Sequence, residues 1–178
     1  GPVNLPTPPG VTRIDIETAR EMAAAVEAAL PADAAILVAA VADWAVAPRT
    51  SKIKKGASGP PKLELSENPD ILAWIGSDAR RPALVVGFAA ETHDVVANAT
   101  SKRQRKNADW IVANDVSDGT GIMGGAENEI TLVTETGAEP WPRLAKAEVA
   151  RRLAANGGTR GRREASRSAV MNVQFGQP

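Results

Sequence analysis

Residues 83–89 read ALVVGFA, an unbroken apolar run with no charged or amide side chain. Residues 34–42 (AAILVAAVA) and residues 110–113 (WIVA) are two further runs of the same kind. Unbroken runs of this length predict strands that are buried on both faces, which is typical of parallel sheets covered by helices. The three runs therefore indicate an α/β protein.

Helix signals lie between and around these runs. Thr18 and Glu21 have the spacing of a capping box and open a predicted helix over residues 19–30. Asn-Pro-Asp at residues 68–70 predicts an N-cap with proline at the first helical position and a helix to residue 77. The other predicted elements are helices over 94–107 and 146–155, a half-buried strand over 11–16 and an edge strand over 129–134. This alternation predicts a Rossmann-like, doubly wound, mostly parallel sheet.

The composition excludes several classes of protein. Lys plus Arg is 21 and Asp plus Glu is 21, and this balance argues against a dedicated nucleic-acid binder. The chain has no cysteine and one histidine, His93, so disulfide scaffolds and zinc centres built on Cys or on several His are excluded. No apolar run reaches the length of a membrane span, and we expect a soluble protein of the cytoplasm.

The length of 178 residues predicts one domain, which we place over residues 1–155. Residues 156–178 read NGGTRGRREASRSAVMNVQFGQP, a basic stretch without hydrophobic periodicity. We expect these residues to form a disordered basic tail.

Candidate ligand-binding residues follow the apolar runs, because ligands of doubly wound sheets bind outside the carboxyl ends of the strands. Ala39, Ala40 and Asp43 lie at the end of the first run, where small side chains admit a flat ligand. The alternative is that the alanines pack against a helix and Asp43 belongs to a turn. Phe88 ends the second run and is a candidate wall for a nucleobase, although a phenylalanine leaving a strand also fits a core position.

Two groups of lysines are candidates for phosphate binding. Lys52 opens the motif KIKK, whose alternation predicts a strand with two lysines on one face, followed by a Gly- and Pro-rich flap over residues 56–61. Lys102 and Lys106 are four positions apart on a predicted helix, so their like charges repel unless an anion compensates. On that ground we expect Lys106→Gln to leave stability unchanged or slightly raised. In both groups the alternative is a solvated, charged surface.

Two familiar phosphate-binding motifs are absent from the sequence. Neither GxxxxGK[ST] nor a GxGxxG after a strand occurs. We expect His93, at the start of the predicted helix 94–107, to be a capping or surface residue.

Six blocks in one order carry a family resemblance: AAVADW at 39–44, KIKK at 52–55, ENPDIL at 67–72, VVGFAAET at 85–92, KRQRKNAD at 102–109 and IVANDVS at 111–117. From its opening GPVNLPTPPG to about residue 155, the chain resembles the bacterial phosphopantothenoylcysteine synthetases. These enzymes are the ligase half of the bifunctional coenzyme A biosynthesis flavoprotein.

The resemblance implies an activity. Family members join 4′-phosphopantothenate to cysteine: CTP converts the carboxylate into an acyl-cytidylate with loss of pyrophosphate, and the cysteine amine then displaces CMP. By the match, Lys52 is the catalytic residue. The residues that the match assigns to nucleotide binding are Ala39, Ala40, Asp43, Lys52, Pro69, Asp70, Ile71, Leu72, Phe88, Lys102 and Lys106.

The resemblance also implies cofactors and partners. We expect Mg²⁺ bound mainly through the CTP phosphates, no dedicated metal ligands, no FMN, and a homodimer formed through strand-hairpin contacts. The family's domain begins with a further strand, a Gly-rich turn and a helix ahead of GPVNLPTPPG, and with that unit missing here we expect CTP binding without product formation by this chain alone. The alternatives are a nucleotide-binding fragment without turnover and a Rossmann-like oxidoreductase, which the missing GxGxxG disfavours.

Overall fold

The computed structural model describes residues 6–47, 51, 54, 62–117, 119–122, 125–161 and 170–173. Its helices are α1 (Ala19–Ala28), α2 (Ile71–Ser77), α3 (Val95–Arg105) and α4 (Lys146–Gly161). Its strands are β1 (Ala34–Leu37), β2 (Trp44–Val46), β3 (Leu65–Glu67), β4 (Leu84–Glu91), β5 (Trp110–Asp115), β6 (Glu127–Asn128), β7 (Thr131–Thr134), β8 (Gly137–Pro140), β9 (Leu144–Ala145) and β10 (Val170–Val173).

The central sheet has the strand order β10-β1-β4-β5-β7-β8. The first four of these strands are parallel, whereas β7 pairs antiparallel with β5 and β8 pairs antiparallel with β7. The expected Rossmann-like, mostly parallel sheet is thereby confirmed. Two antiparallel strand pairs, β2–β3 and β6–β9, lie outside the central sheet.

Both faces of the sheet are covered, which explains why the strands read as unbroken apolar runs. Val85 and Ile111 point into a core that α1, α2 and α3 cover, and we call this side the α3 face. Val86 and Val112, the next residues along β4 and β5, point into a second core with Val149 of α4. We call that side the α4 face. Residue alternation in a strand therefore decides which face each side chain joins.

The predicted start of α1 is confirmed, whereas that of α2 is shifted. The Thr18 hydroxyl accepts from the Glu21 backbone N–H at 3.1 Å, and the Glu21 carboxylate accepts from the Thr18 N–H at 2.9 Å, which completes the capping box. At α2 the N-cap is Asp70, so Pro69 precedes the cap instead of following it. The prediction of proline at the first helical position is wrong, because the Asp70 carboxylate caps the Ala73 N–H.

The predicted strand over residues 11–16 is not a strand in the structure. Val11 is 54% exposed and Ile14 is 58% exposed, while Ile16 packs against the core on the α3 face. A strand needs a hydrogen-bonded neighbour, and none of the described strands lies beside this segment. The first apolar run is also paired over a shorter stretch than expected, since β1 ends at Leu37.

The prediction of a disordered tail from residue 156 does not hold for two stretches. Helix α4 continues to Gly161, and β10 pairs in parallel with β1, with Ala34 opposite Val170. The edge of β1 presents backbone groups that a short apolar segment can pair with, although four residues are too few to show a periodicity in the sequence. The prediction that residues 129–134 form the sheet edge is also wrong, because β8 lies outside β7.

In the part of the chain that the structure describes, no helix combines the length and apolar character that crossing a membrane requires.

Candidate functional site

A cleft of about 420 Å³ lies between one face of α3 and the carboxyl end of β4. Its position agrees with the rule that doubly wound sheets bind ligands at the carboxyl edge. Three of its side chains are cationic and one is a carboxylate. The lining residues are Glu91, His93, Asn98, Ser101, Lys102, Arg105 and Lys106.

Lys102 lies at the floor of the cleft. Its ammonium donates a hydrogen bond to the backbone carbonyl of Phe88 at 2.8 Å. Burial lowers the pKa of Lys102, and the positive charges of Lys106 and Arg105 lower it further, while Glu91 and Asp70 act in the opposite direction. The charged form of Lys102 is therefore held at a cost that a bound anion would relieve.

Lys106 forms an ion pair with Asp70, the N-cap of α2. The other carboxylate oxygen of Asp70 accepts from the Ala73 backbone N–H at 3.0 Å. Partial burial raises the pKa of Asp70, but the hydrogen bonds from Lys106 and Ala73 and the charges of Lys106 and Lys102 outweigh it, so the pKa of Asp70 lies below its usual value. One carboxylate thus joins the start of α2 to the end of α3.

This ion pair changes what is expected of Lys106→Gln. We now expect the substitution to lower the free energy of unfolding by about 0.5–1 kcal/mol, because the loss of the pair outweighs relief of the repulsion with Lys102. Asp70→Asn should have a similar effect, since asparagine keeps the N-cap but not the charge. Urea denaturation of both variants and of the double variant measures the coupling. Fully additive effects would show that the pair contributes nothing to stability.

The loop after β1 is held next to α2 by Asn68. Its side-chain amide donates to the Ala42 carbonyl at 2.9 Å, and its backbone N–H donates to the Asp43 carbonyl, also at 2.9 Å. Ala40 and Asp43 are exposed, and Ala39 packs partly against the core on the α3 face. Through Asn68, the structure therefore brings the loop of residues 39–43 beside the start of α2.

Among residues 69–72, only Asp70 brings a polar side chain to this region, the carboxylate that pairs with Lys106. Ile71 is only 5% exposed and belongs to the core, and Pro69 is half-buried. Leu72 lies over β4, where a Cβ added to Gly87 would come within 2.6 Å of its Cδ2 atom.

Of the predicted site residues, Lys102 and Lys106 line this cleft, and the ring of Phe88 does not. The Phe88 side chain packs with the core on the α4 face, whereas Lys102 and Lys106 lie on the α3 face. Phe88 contributes its carbonyl to the cleft, through the hydrogen bond from Lys102. Lys52 lies outside the described residues, and so does the predicted flap over residues 56–61. Lys54 is described as exposed and lies outside any strand.

Sequence reasoning missed several residues of the cleft. Asn98, Ser101 and Arg105 share one helix face with the predicted Lys102, at the spacing i, i+3, i+7 with Lys102 at i+4, and this spacing is the signal that could have identified them. The side-chain amide of Asn98 donates to Glu91 at 3.3 Å. This contact ties the start of α3 to the end of β4.

His93 is an exposed residue, in line with the prediction of a capping or surface role, but it is not the cap. Its Nδ1 atom lies 3.2 Å from the Thr92 hydroxyl. The N-cap of α3 is Asp94, whose φ of 46° is in the left-handed region. That conformation is uncommon outside glycine, asparagine and aspartate.

The cleft offers few side chains that could coordinate Mg²⁺. No group of three or more His, Asp or Glu side chains that could hold a metal occurs among the residues described here. Mg²⁺ is often held by one or two carboxylates together with substrate phosphates and waters. Glu91 provides one carboxylate in the cleft, which fits an ion held chiefly by phosphates.

Known proteins resemble this chain over most of its length. The sequence pattern of the DNA/pantothenate metabolism flavoprotein C-terminal domain matches residues 1–157. The coenzyme A biosynthesis bifunctional protein CoaBC of Escherichia coli is 44% identical over 148 residues, which are 80% of this chain and 36% of that protein. The protein of the same name from Vibrio cholerae is 41% identical over 155 residues, 84% of this chain and 38% of that one. This chain thus spans a little over a third of the length of these relatives.

A solved structure resembles this chain in both fold and sequence. The crystal structure of the C-terminal domain of a coenzyme A biosynthesis bifunctional protein CoaBC superimposes with a TM-score of 0.66 at 32% identity. The alignment covers 87% of this chain and 68% of that domain.

Proposed function

This chain belongs to the DNA/pantothenate metabolism flavoprotein C-terminal domain family, and from that premise we propose that it acts in coenzyme A biosynthesis as a phosphopantothenate–cysteine ligase that uses CTP. The single observation that carries this proposal is the pair Lys102 and Lys106 on the α3 face. Both lie at the carboxyl edge of the sheet beside Asp70, in a cleft with an excess of positive charge. We place the activity in the cytoplasm.

The reaction has two steps. A carboxylate oxygen of 4′-phosphopantothenate attacks the α-phosphorus of CTP, the bond from that phosphorus to the bridging oxygen breaks, and pyrophosphate leaves. The amine of cysteine then attacks the acyl carbon, loses a proton and displaces CMP, which forms the amide. Negative charge develops on phosphate oxygens in the first step, so fixed positive charges and correct positioning supply most of the catalysis.

Each predicted residue has a role in this proposal. Lys102 and Lys106 bind the phosphates, and Lys52 stabilises the charge that develops at the α-phosphorus. The ribose or base lies against residues 39–43, and the backbone of residues 69–72 forms the adjoining wall. Phe88 takes part through its main chain in the cleft, since its ring packs on the other face of the sheet.

Mg²⁺ accompanies the nucleotide in this proposal. When bound, the ion would neutralise phosphate charge, and Glu91 is the cleft carboxylate that would help to hold it. The residues of this chain orient the triphosphate through the lysines and keep the α-phosphorus near the sheet edge.

Titration of the purified chain with CTP, ATP and NAD tests the proposal. Binding of CTP, measured by calorimetry or by a rise in melting temperature, is expected, and Lys106→Gln should remove most of that rise. Pyrophosphate release with CTP, 4′-phosphopantothenate and cysteine, measured with and without the family's preceding strand–turn–helix unit added as a separate polypeptide, then separates a ligase from a nucleotide-binding module without turnover. Binding of NAD instead of CTP would contradict the ligase and favour an oxidoreductase.

A homodimer is part of the proposal, and the β2–β3 pair offers a surface for it. Val46 lies opposite Leu65 in this pair, and Trp44 lies two residues from Val46, so all three share one face. They are 48%, 60% and 55% exposed respectively. Large exposed apolar side chains in one patch are typical of interaction surfaces.

We expect Trp44→Arg to weaken this dimer at least about tenfold, since a central aromatic residue often dominates an interface. Val11→Arg is the matched control, because Val11 is similarly exposed but belongs to neither β2 nor β3. Light scattering after size-exclusion chromatography over a range of concentrations measures both. An unchanged dimer in Trp44→Arg would place the interface elsewhere.

A further inference from the structure

Arg105 differs from the two lysines of the cleft in having no partner in the part of the chain that the structure describes. It is the last residue of α3 and lines the cleft together with Lys102 and Lys106. Lys102 donates to the Phe88 carbonyl, and Lys106 is paired with Asp70. Within the described residues, the Arg105 guanidinium has neither a hydrogen bond nor an ion pair.

The charges around Arg105 are unbalanced. Lys102, Arg105 and Lys106 face Glu91 across the cleft, and Glu91 already accepts a hydrogen bond from Asn98. The Asp70 carboxylate is shared between Lys106 and the α2 backbone. The cleft therefore retains positive charge that an anion with several negative groups would neutralise better than an anion with one.

The three cations also lie at different depths. Lys102 is half-buried and donates a hydrogen bond to the β4 backbone, so it marks the floor of the cleft. Arg105 is exposed and lies three residues further along the same helix face, so it marks the outer rim. An extended anion that reaches Lys102 with one end would meet Arg105 with the other.

We propose that Arg105 binds the terminal phosphate of a nucleoside triphosphate and thereby makes the cleft prefer triphosphates to monophosphates. This inference rests on the proposed function, because it assumes that the cleft holds the phosphates of CTP. Arginine suits the task, since its planar guanidinium donates two parallel hydrogen bonds to phosphate oxygens. Such a preference also favours departure of the product CMP over the substrate CTP.

Calorimetric titration of the full chain with CTP, CMP and inorganic triphosphate tests this role. The variants are Arg105→Gln, Arg105→Lys and the control Arg20→Gln, which removes an exposed arginine from α1, a helix that does not line the cleft. Arg105→Gln should weaken CTP and inorganic triphosphate about tenfold, the size expected for a lost charge-assisted pair. Its affinity for CMP should change less than about twofold because the terminal phosphate is missing from CMP.

The other two variants separate the effect of charge from that of guanidinium geometry and control for the loss of a surface arginine. Arg105→Lys should fall between the wild type and Arg105→Gln, because lysine keeps the charge but not the forked geometry. Arg20→Gln should bind all three ligands as the wild type does. A ratio of CTP to CMP affinity that is unchanged in Arg105→Gln would overturn the inference.

If the ligase proposal is wrong, the titrations give a different result from the one expected if only the role of Arg105 is wrong. In that case the wild type would not bind CTP more tightly than inorganic triphosphate, yet Arg105→Gln would still weaken inorganic triphosphate if the rim role is correct. If neither CTP nor inorganic triphosphate binds the wild type, both the rim role and the ligase assignment are wrong. Melting curves without ligand confirm that each variant is folded.

Discussion

Gly76→Ala is expected to lower the free energy of unfolding by about 3 kcal/mol, a large effect for the addition of one methyl group. A Cβ at Gly76 would lie 2.1 Å from the backbone carbonyl oxygen of Lys106 and 3.1 Å from that of Asn107. These atoms belong to the main chain at the end of α3 and cannot move aside as a flexible side chain would. The substitution would therefore push α2 away from α3.

Helix propensity by itself would make Gly76→Ala more stable than the wild type, so it cannot account for the expected loss of stability. Alanine is favoured over glycine in a helix interior by about 1 kcal/mol, so a loss of stability must come from packing. Gly158→Ala in α4 is the matched control, since no atom lies within 4 Å of its added Cβ. That control should gain about 0.5–1 kcal/mol.

Urea denaturation of both variants gives the comparison. If Gly76→Ala is as stable as the wild type, the close approach of α2 to α3 is not a feature of the folded protein. A second effect is expected at the cleft, because the Asn107 side chain donates to the Gly76 carbonyl at 2.6 Å and Asp70 at the other end of α2 holds Lys106. Movement of α2 should therefore weaken CTP binding as well.

Lys52→Gln is expected to lower the turnover number about a hundredfold while changing CTP affinity by only a few fold. The reason is that charge at the α-phosphorus grows on the way to the transition state, so a cation placed there stabilises the transition state more than bound CTP. This role comes from the family resemblance and the KIKK motif, since Lys52 lies outside the described residues.

Pyrophosphate release, assayed with the family's preceding strand–turn–helix unit supplied as a separate polypeptide, measures turnover, and calorimetric titration of the same preparation measures CTP affinity. Lys62→Gln is the control, because Lys62 is an exposed lysine of the same region. Equal losses in turnover and in CTP affinity would reduce Lys52 to a residue that binds the ground state. Unchanged kinetics would show that the catalytic assignment is wrong.

The site was only partly predictable from the sequence. The i,i+4 spacing places Lys102 and Lys106 on one helix face without any knowledge of the fold. The partner of Lys106 was not predictable, because Asp70 lies 36 positions away and meets it only when α2 packs against α3. The expectation for Lys106→Gln based on repulsion alone is therefore revised, because it did not include the ion pair.

The position of the Phe88 ring is a second feature that the sequence alone did not predict. Its position at the end of an apolar run correctly placed it near the sheet edge. Strand alternation then puts its ring on the α4 face and its carbonyl within reach of Lys102. Which helix covers which face of the sheet depends on how the chain crosses from strand to strand. Patterns among neighbouring residues do not predict that path.

By itself, the sequence determined the features that depend on neighbouring residues: the apolar parallel strands β1, β4 and β5, the capping box of α1 and the lysine face of α3. Only the tertiary structure decided that residues 11–16 remain outside the sheet while Val170–Val173 pair with β1. The physical reason is that a strand is stabilised by hydrogen bonds to another segment, so its existence depends on which edge is within reach. Helix caps and buried apolar runs need no such partner to be recognised, because their stabilising groups lie within a few residues of one another.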